Sequence, residues 1–281
     1  MSDSGTLYVV ATPIGNLGDI SLRAIDVFGR VDLIAAEDTR HTRQLLNHLG
    51  INKPLQSSHE HNEVGKVGFF VDQLRAGLSI ALVSDAGTPL IADPGFPLVQ
   101  QCREQGIEVI SVPGPCALIA ALSVSGLPTD RFAFEGFLPA KAAARRQQLE
   151  ALANESRTLL FYESTHRIVD TLKDVADVLG VRQLVLAKEI TKQFETVRAG
   201  TAKELLDWLA EEPARQKGEF VLMVAAAEKP DNSDQKSMSA ERLLRVLLEE
   251  MSVKQAAKLA AKITGGRKNE LYQMALELSD K

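Results

Sequence analysis

Short apolar, β-rich runs alternate with amphipathic stretches through the first half of the chain. Leu7–Ala11 (LYVVA), Asp32–Ala36 (DLIAA), Ser79–Val83 (SIALV) and Ile107–Val112 (IEVISV) have the length and composition of buried strands. Between and after them the spacing predicts helices over Ser21–Phe28, Thr39–Leu49, Phe96–Gln105 and Ala117–Ser125, with Gly50 and Gly126 as stops for the second and fourth. Such alternation implies βαβ crossovers and a mainly parallel sheet. After Phe137-Leu138-Pro139 the order changes. Thr158–Tyr162, Gln183–Ala187, Glu195–Ala199 and Glu219–Ala225 read as strands, with helices near Thr165–Leu179 and Ala202–Glu211. Two of these strands follow one another directly, so the second part is expected to be mixed α+β. The polar, proline-bearing Glu228–Ser237 reads as a linker. Ala240–Glu250, Val253–Ile263 and Asn269–Leu278 read as three short helices. The expected organisation is two α/β domains, 1–126 and 127–228, a linker at 229–238 and a small helical element at 239–281.

Composition leaves this picture as it is: 281 residues, 45% hydrophobic and 25% charged, are ordinary for a globular chain of one large or two modest domains. No apolar run approaches the ~18 residues needed to span a bilayer, and the first ten residues lack the basic-then-apolar pattern of a secretory signal. Cys102 and Cys116 make neither a disulfide framework nor a metal-ligand pattern. A reduced, cytoplasmic protein without a membrane partner is expected. Charge does change the picture. The net charge of −5 is uneven: Lys236–Lys281 carries nine Lys/Arg against six Asp/Glu, so a +3 tail follows a −8 body. An acidic body with a basic tail suits an enzyme whose polyanionic substrate is gripped by an accessory element. Lys254, Lys258 and Lys262 fall at i, i+4 and i+8 as one cationic stripe, with Val253, Ala256, Ala257, Ala260 and Ile263 as the packing side. The turn GGRKN adds Arg267 and Lys268, and helix, glycine turn, helix is the outline of a helix-turn-helix. A solvated lysine face on a helical cap is the plain alternative.

Three loops follow predicted strands: Thr12–Gly18, Ser84–Gly95 (SDAGTPLIADPG) and Pro113–Ala117 (PGPCA). Open α/β sheets bind ligands at that end of their strands. Glycine allows close backbone approach, and proline removes ordering entropy from the loop. Asp85, just past its strand, is placed to accept hydrogen bonds from a ligand; tight turns and a helix cap are the alternative. There is neither GxxxxGK[ST] nor GxGxxG, which leaves a P-loop nucleotide or ordinary dinucleotide site without support. Polar clusters also mark strand ends and loops. They are Glu37–His41, the HEHNE run 59–63, Phe161–Arg167 (FYESTHR) and Ala187–Lys192 (AKEITK). His-x-His lacks a recognisably spaced third ligand, so no metal is expected.

Together, TPIGNLGDI, AAEDTRHT, SDAGTPLIADPG, PGPCA, GFLP, FYESTHR and KGEFVLMV resemble the ribosomal RNA small-subunit methyltransferase I family. That family lies within the tetrapyrrole-methylase-like, class III S-adenosylmethionine enzymes. The resemblance runs from about Thr6 to Val224 and continues in the tail. It implies two α/β domains of the tetrapyrrole methylase type with S-adenosylmethionine in the cleft between them, in a homodimer. It also implies 2′-O-methylation of a cytidine, cytidine 1402, in the decoding region of 16S rRNA, free or in the 30S subunit. Ser84-Asp85-Ala86 stands where corrinoid-methylating relatives have a GDP triplet, a departure that favours RNA. The implied cofactor residues are Pro13, Ser84, Asp85, Thr88, Pro113, Cys116, Ala117, Tyr162, Glu163, Gly200 and Gly218. A ribose hydroxyl is a poor nucleophile until deprotonated; Asp38, His61, Glu163 and Glu189 are the candidate bases. Lys188 or Arg40 is expected to orient the RNA backbone. Arg145 and Arg146, with Lys254, Lys258, Lys262, Arg267 and Lys268, complete the expected RNA contacts. Two rivals stay open: a tetrapyrrole or corrinoid methyltransferase on the same scaffold, and a non-catalytic S-adenosylmethionine-sensing RNA-binding module.

Overall fold

The computed structural model describes residues 4–58, 63–227 and 232–279. Five parallel strands open the chain: β1 (Thr6–Val10), β2 (Leu33–Ala36), β3 (Leu55–Ser57), β4 (Ile80–Val83) and β5 (Glu108–Val112), in the order β3-β2-β4-β1-β5. Crossover helices cover both faces, as a parallel sheet requires. On one face α1 (Leu22–Arg30) and α2 (Thr39–His48) bury Val27, Phe28, Leu45 and Leu46 against Ile34, Ala81 and Val83. On the other, α3 (Glu63–Arg75) and α4 (Phe96–Glu104) bury Phe70, Leu74, Leu98 and Cys102 against Leu7, Ile80 and Leu82. The chain leaves β1 toward β2 on one side and leaves β4 toward β5 on the other. The neighbouring carboxyl ends of β1 and β4 therefore open a crevice, the usual ligand position in such sheets.

A further helix, α5 (Ala117–Val124), leads to a second sheet of β6 (Phe132–Phe137), β7 (Thr158–Ser164), β8 (Leu184–Lys188), β9 (Thr196–Gly200) and β10 (Glu219–Val224), ordered β6-β7-β10-β8-β9. Only β6 and β7 pair in parallel; the rest is antiparallel, in line with the mixed character expected. One face is covered by α6 (Ala142–Ala151), α7 (Ile168–Leu179) and α8 (Ala202–Glu211), through Leu149, Leu172, Val175, Leu205 and Leu209. The other face takes Leu118, Ala121 and Leu122 of α5 together with Ile14 and Ile91 from the loops after β1 and β4. Both sheets, with α5 packed on the second, lie within one compact unit that ends at Ala227.

The remaining residues form a separate unit with its own core. It holds α9 (Asn232–Glu250), α10 (Val253–Thr264) and α11 (Lys268–Ser279), packed through Leu244, Ala256, Ala257, Ala260, Leu271 and Ala275. Alanines at the α10 contacts let the helices approach closely. Ser252 and Gln255 form a capping box, and Gly265 ends α10 in a left-handed conformation. The linker expected at 229–238 is largely helical: α9 begins at Asn232, and residues 228–231 lie outside the described residues. Lys254, Lys258 and Lys262 are all exposed, but Ile263, expected on the packing side, is also largely exposed.

Candidate active site

The loop after β4 is held by its neighbours before it meets any ligand. Thr12 and Gly87 exchange backbone hydrogen bonds of 2.9 and 3.0 Å, and Thr88 Oγ1 donates to the Pro115 carbonyl at 3.1 Å. Gly87 has φ +82°, which favours glycine, and a Cβ there would also crowd Ile14 Cγ2 at 3.2 Å. Leu90, Ala92, Glu189 and Thr191 are the non-glycine residues with positive φ among those described. They fall in two short segments, 90–92 and 189–191, which supply Ile91, Ala92 and Ile190 to one cavity wall. Backbone strain concentrated there is the pattern expected of a functional site.

That cavity encloses about 290 Å³ between the two sheets. Ala86, Gly87 and Thr88 line one side; Cys116 and Ala117, at the start of α5, line another; Tyr162, Ala187, Ile190 and Val221 close it from the second sheet. Tyr162 is fixed on three sides. Its hydroxyl accepts from the Leu118 N–H at 3.2 Å, and its ring packs on Phe134 and Phe137 at 4.8 and 5.7 Å. Burial raises its phenol pKa above the ordinary range, so the hydroxyl stays neutral. Cys116 is the N-cap residue of α5 and half-buried, a wall residue without a histidine partner among the described residues.

Asp93 is the carboxyl group that sequence reasoning missed. It lines the same cavity, and burial pushes its pKa up to about 6, with the Ser84 hydroxyl opposing the rise and the Glu37 and Asp85 charges adding to it. In the sequence it reads as an ordinary turn residue before Pro94-Gly95; only the fold brings it to the wall.

The expected cofactor residues divide between two cavities. Thr88, Cys116, Ala117, Tyr162 and Glu163 border the large one. Pro13, Ser84 and Asp85 instead line a neighbouring cavity of about 210 Å³, with Thr12, Leu17, His41, Thr42, Gln44 and Leu45. Pro113 is exposed and lines neither. Gly200 faces Glu204 of α8 and Gly218 faces the Glu189 side chain; they belong to neither wall.

The expected bases fare differently. Along β7, Leu160 and Tyr162 face the cavity side, whereas Leu159 and Phe161 join the core under the helices. Strand alternation puts Glu163 on the latter face. There its buried carboxylate accepts from Thr171 Oγ1 at 2.7 Å and the Ser164 N–H at 2.8 Å, with Arg167 Nε at 3.3 Å. The Glu163 carboxylate is thus engaged on the helix-covered side, although the residue also borders the large cavity. By the same alternation Lys188 falls on the Leu184/Leu186 face; it is buried and lines neither cavity. Glu189 is clamped: Lys192 Nζ donates to it at 2.9 Å, and so does the Glu219 N–H, also at 2.9 Å. Burial raises its pKa, but these partners outweigh burial and hold it low. Asp38 caps α2, accepting from the Arg40 N–H at 2.8 Å and pairing with its guanidinium at 2.7 Å; that pairing holds its pKa far below the carboxylate range. Arg40 itself is 88% exposed, open to a phosphate. His61 lies outside the described residues.

Of the other two body arginines expected on RNA, Arg145 is buried, with Nε 2.6 Å from Asp174 Oδ2, and is removed from that role. Arg146, half-exposed and 3.7 Å from the same carboxylate, remains accessible. Arg267 and Lys268 are exposed in the tail. No group of three or more potential metal ligands occurs among the described residues, and no described helix is long and apolar enough to cross a membrane.

Residues 6–206 match the family described as Tetrapyrrole (Corrin/Porphyrin) Methylases, and residues 234–279 match the RsmI C-terminal HTH domain. Solved structures of the same fold include a uroporphyrin-III-C-methyltransferase from Thermus thermophilus (TM-score 0.56, 21% identity, 79% of this chain and 95% of that one) and diphthine synthase (TM-score 0.59, 13% identity, 79% and 90%). At these identities they speak for the fold alone. Among curated relatives, the Ribosomal RNA small subunit methyltransferase I of Haemophilus influenzae is 56% identical over 97% of both chains. That of Pseudomonas aeruginosa is 55% identical over 99% of both. A tetrapyrrole-methylase body joined to this particular helical tail, at such identity over nearly the full length, places the chain in the ribosomal RNA small subunit methyltransferase I family.

Proposed function

We propose that the chain transfers a methyl group from S-adenosylmethionine to the 2′-hydroxyl of a cytidine in the decoding region of 16S rRNA, in the cytoplasm and as a homodimer. The observation that carries this reading is the 290 Å³ cavity at the strand ends, within a chain 56% identical to an rRNA methyltransferase. Its residues fit the cofactor. Ile14, Ile91, Ile190 and Val221 offer apolar cover to an adenine ring and a thioether, and the 86–88 backbone and Thr88 offer polar anchors. When bound, the cofactor supplies a sulfonium-activated methyl group. The protein's part is to orient the acceptor and take its proton. Asp93 suits the role of proton acceptor, because its carboxyl lines the cavity and is largely ionised at neutral pH, yet basic enough to take a proton. Arg40, Arg146 and the exposed Lys254, Lys258, Lys262, Arg267 and Lys268 serve the RNA backbone in this reading, and the match to an RsmI-type tail supports RNA over a porphyrinoid. Methyl transfer from labelled S-adenosylmethionine to purified 30S subunits and to free 16S rRNA, with the modified nucleotide mapped, tests it. One 2′-O-methylcytidine in the decoding region is the expected product; a base methylation, or none, overturns the reading. Light scattering checks the dimer.

A further inference from the structure

The 210 Å³ cavity and the larger one draw on consecutive residues of the loop after β4. Ser84 and Asp85 line the smaller cavity, the next residues Ala86–Thr88 line the larger, and the Thr12–Gly87 bridge closes the seam. Asp93, on the large-cavity side, has the Ser84 hydroxyl against it. The smaller cavity offers apolar cover from Pro13, Leu17 and Leu45, and polar groups from His41, Gln44 and Asp85. Asp85 is only partly committed. Its Oδ1 accepts from the Asp38 N–H at 2.9 Å, and its Oδ2 has no hydrogen-bond partner among the described residues.

Resting on the function proposed above, we infer that this second cavity receives the nucleobase of the target nucleotide, flipped out of its RNA, and that Asp85 selects cytosine over uracil. Enzymes that do chemistry on a base draw it out of its stack into a pocket that reads its Watson–Crick edge; here the same seating of the base would hold its ribose for transfer at the 2′-hydroxyl. Cytosine presents an amino donor at N4, which a carboxylate accepts; uracil presents a carbonyl oxygen there, which a carboxylate repels. Leu17, Leu45 and Pro13 supply apolar cover for the ring. A base in this cavity leaves its ribose at the seam, toward Asp93 and the larger cavity. The division of the strand-end residues into two pockets then corresponds to the two reactants.

Asp85→Asn in the full-length chain is the direct test. Asparagine keeps the Oδ1 acceptor for the Asp38 N–H and turns the second position into a donor. Single-turnover methyl transfer is measured on 30S subunits carrying cytidine or uridine at the target, and S-adenosylmethionine affinity by calorimetry. The wild-type protein is expected to favour cytidine about tenfold or more, and Asp85→Asn to lose about tenfold on cytidine and narrow the ratio, with cofactor affinity within about twofold of wild type. An unchanged ratio overturns the inference. So does loss of cofactor binding in Asp85→Asn, which assigns the cavity to the cofactor. Leu17→Trp, which fills the cavity from its partly exposed rim, gives an independent arm: RNA methylation is lost with cofactor binding kept, and full activity overturns the inference. Failure of the wild-type protein to methylate any 16S ribose counts instead against the proposed function.

Discussion

Arg145 follows three alanines in a polar run beside Arg146, yet its guanidinium is buried 2.6 Å from Asp174 while its neighbour stays half-exposed. Removing Arg145 leaves the buried Asp174 carboxylate only the half-exposed Arg146 at 3.7 Å. Arg145→Ala should therefore cost about 3–5 kcal/mol in urea unfolding, and Arg146→Ala far less. Asp93 shows the opposite use of burial. Its folded pKa of about 6 lies above the value of 3.8 for an ordinary aspartate. The fold thus favours the protonated form; that contribution is fully present below about pH 4 and is lost as pH rises through 6. Asp93→Asn should consequently unfold at a higher temperature than wild type at about pH 8 and at the same temperature near pH 4. Partial exposure limits the gain to on the order of 1 kcal/mol. Its activity should move the other way. The wild-type single-turnover rate is expected to fall below about pH 6 as the carboxylate is protonated, and Asp93→Asn to lose about 10²–10⁴-fold with a flat profile. A variant that keeps the wild-type profile removes Asp93 from proton transfer.

At the scale of elements, local sequence signals succeeded wherever the physics was local. Helix α8 begins where Thr201 and Glu204 form a reciprocal capping box, with the Thr201 N–H 2.7 Å from Glu204 Oε2. Thr201→Ala should cost about 1 kcal/mol, read as a lower urea midpoint at unchanged slope. The strands LYVVA, DLIAA and SIALV were legible as continuous apolar runs because both faces of a parallel sheet are covered. Four elements were not legible. Helix α3 carries Gly65 and Gly68 inside its pattern, and α6 starts from an alanine run without a side-chain cap. Strand β3 is only three residues long, and β6 is interrupted by a register shift between Phe134 and Phe137 around Gly136 at φ +66°. Tertiary packing supports α3, β3 and β6 against weak local preference, whereas the residues of α6 are strong helix formers that lack only a capping signal.

At the scale of the whole molecule, charge separates the tail from the body, and the exposed stripe Lys254, Lys258 and Lys262 can act on RNA only through phosphates. Replacing all three by alanine should weaken RNA binding and lower the slope of log affinity against log salt by about 2, leaving cofactor affinity unchanged; an unaltered slope excludes the stripe from the interface. The α/β alternation, the basic helical tail and the loops SDAGTPLIADPG and PGPCA were determined by sequence alone, because periodicity, charge and turn chemistry are properties of neighbouring residues. The tertiary structure decided what each loop residue faces. It divided those residues between two cavities, turned Glu163 and Lys188 to the helix-covered face of the second sheet, and buried Arg145. It also raised Asp93 from a turn residue to the acidic wall of the larger cavity. Which face of a strand the helices cover, desolvation and the pairing of distant charges depend on groups far apart in the chain, and no local pattern records them.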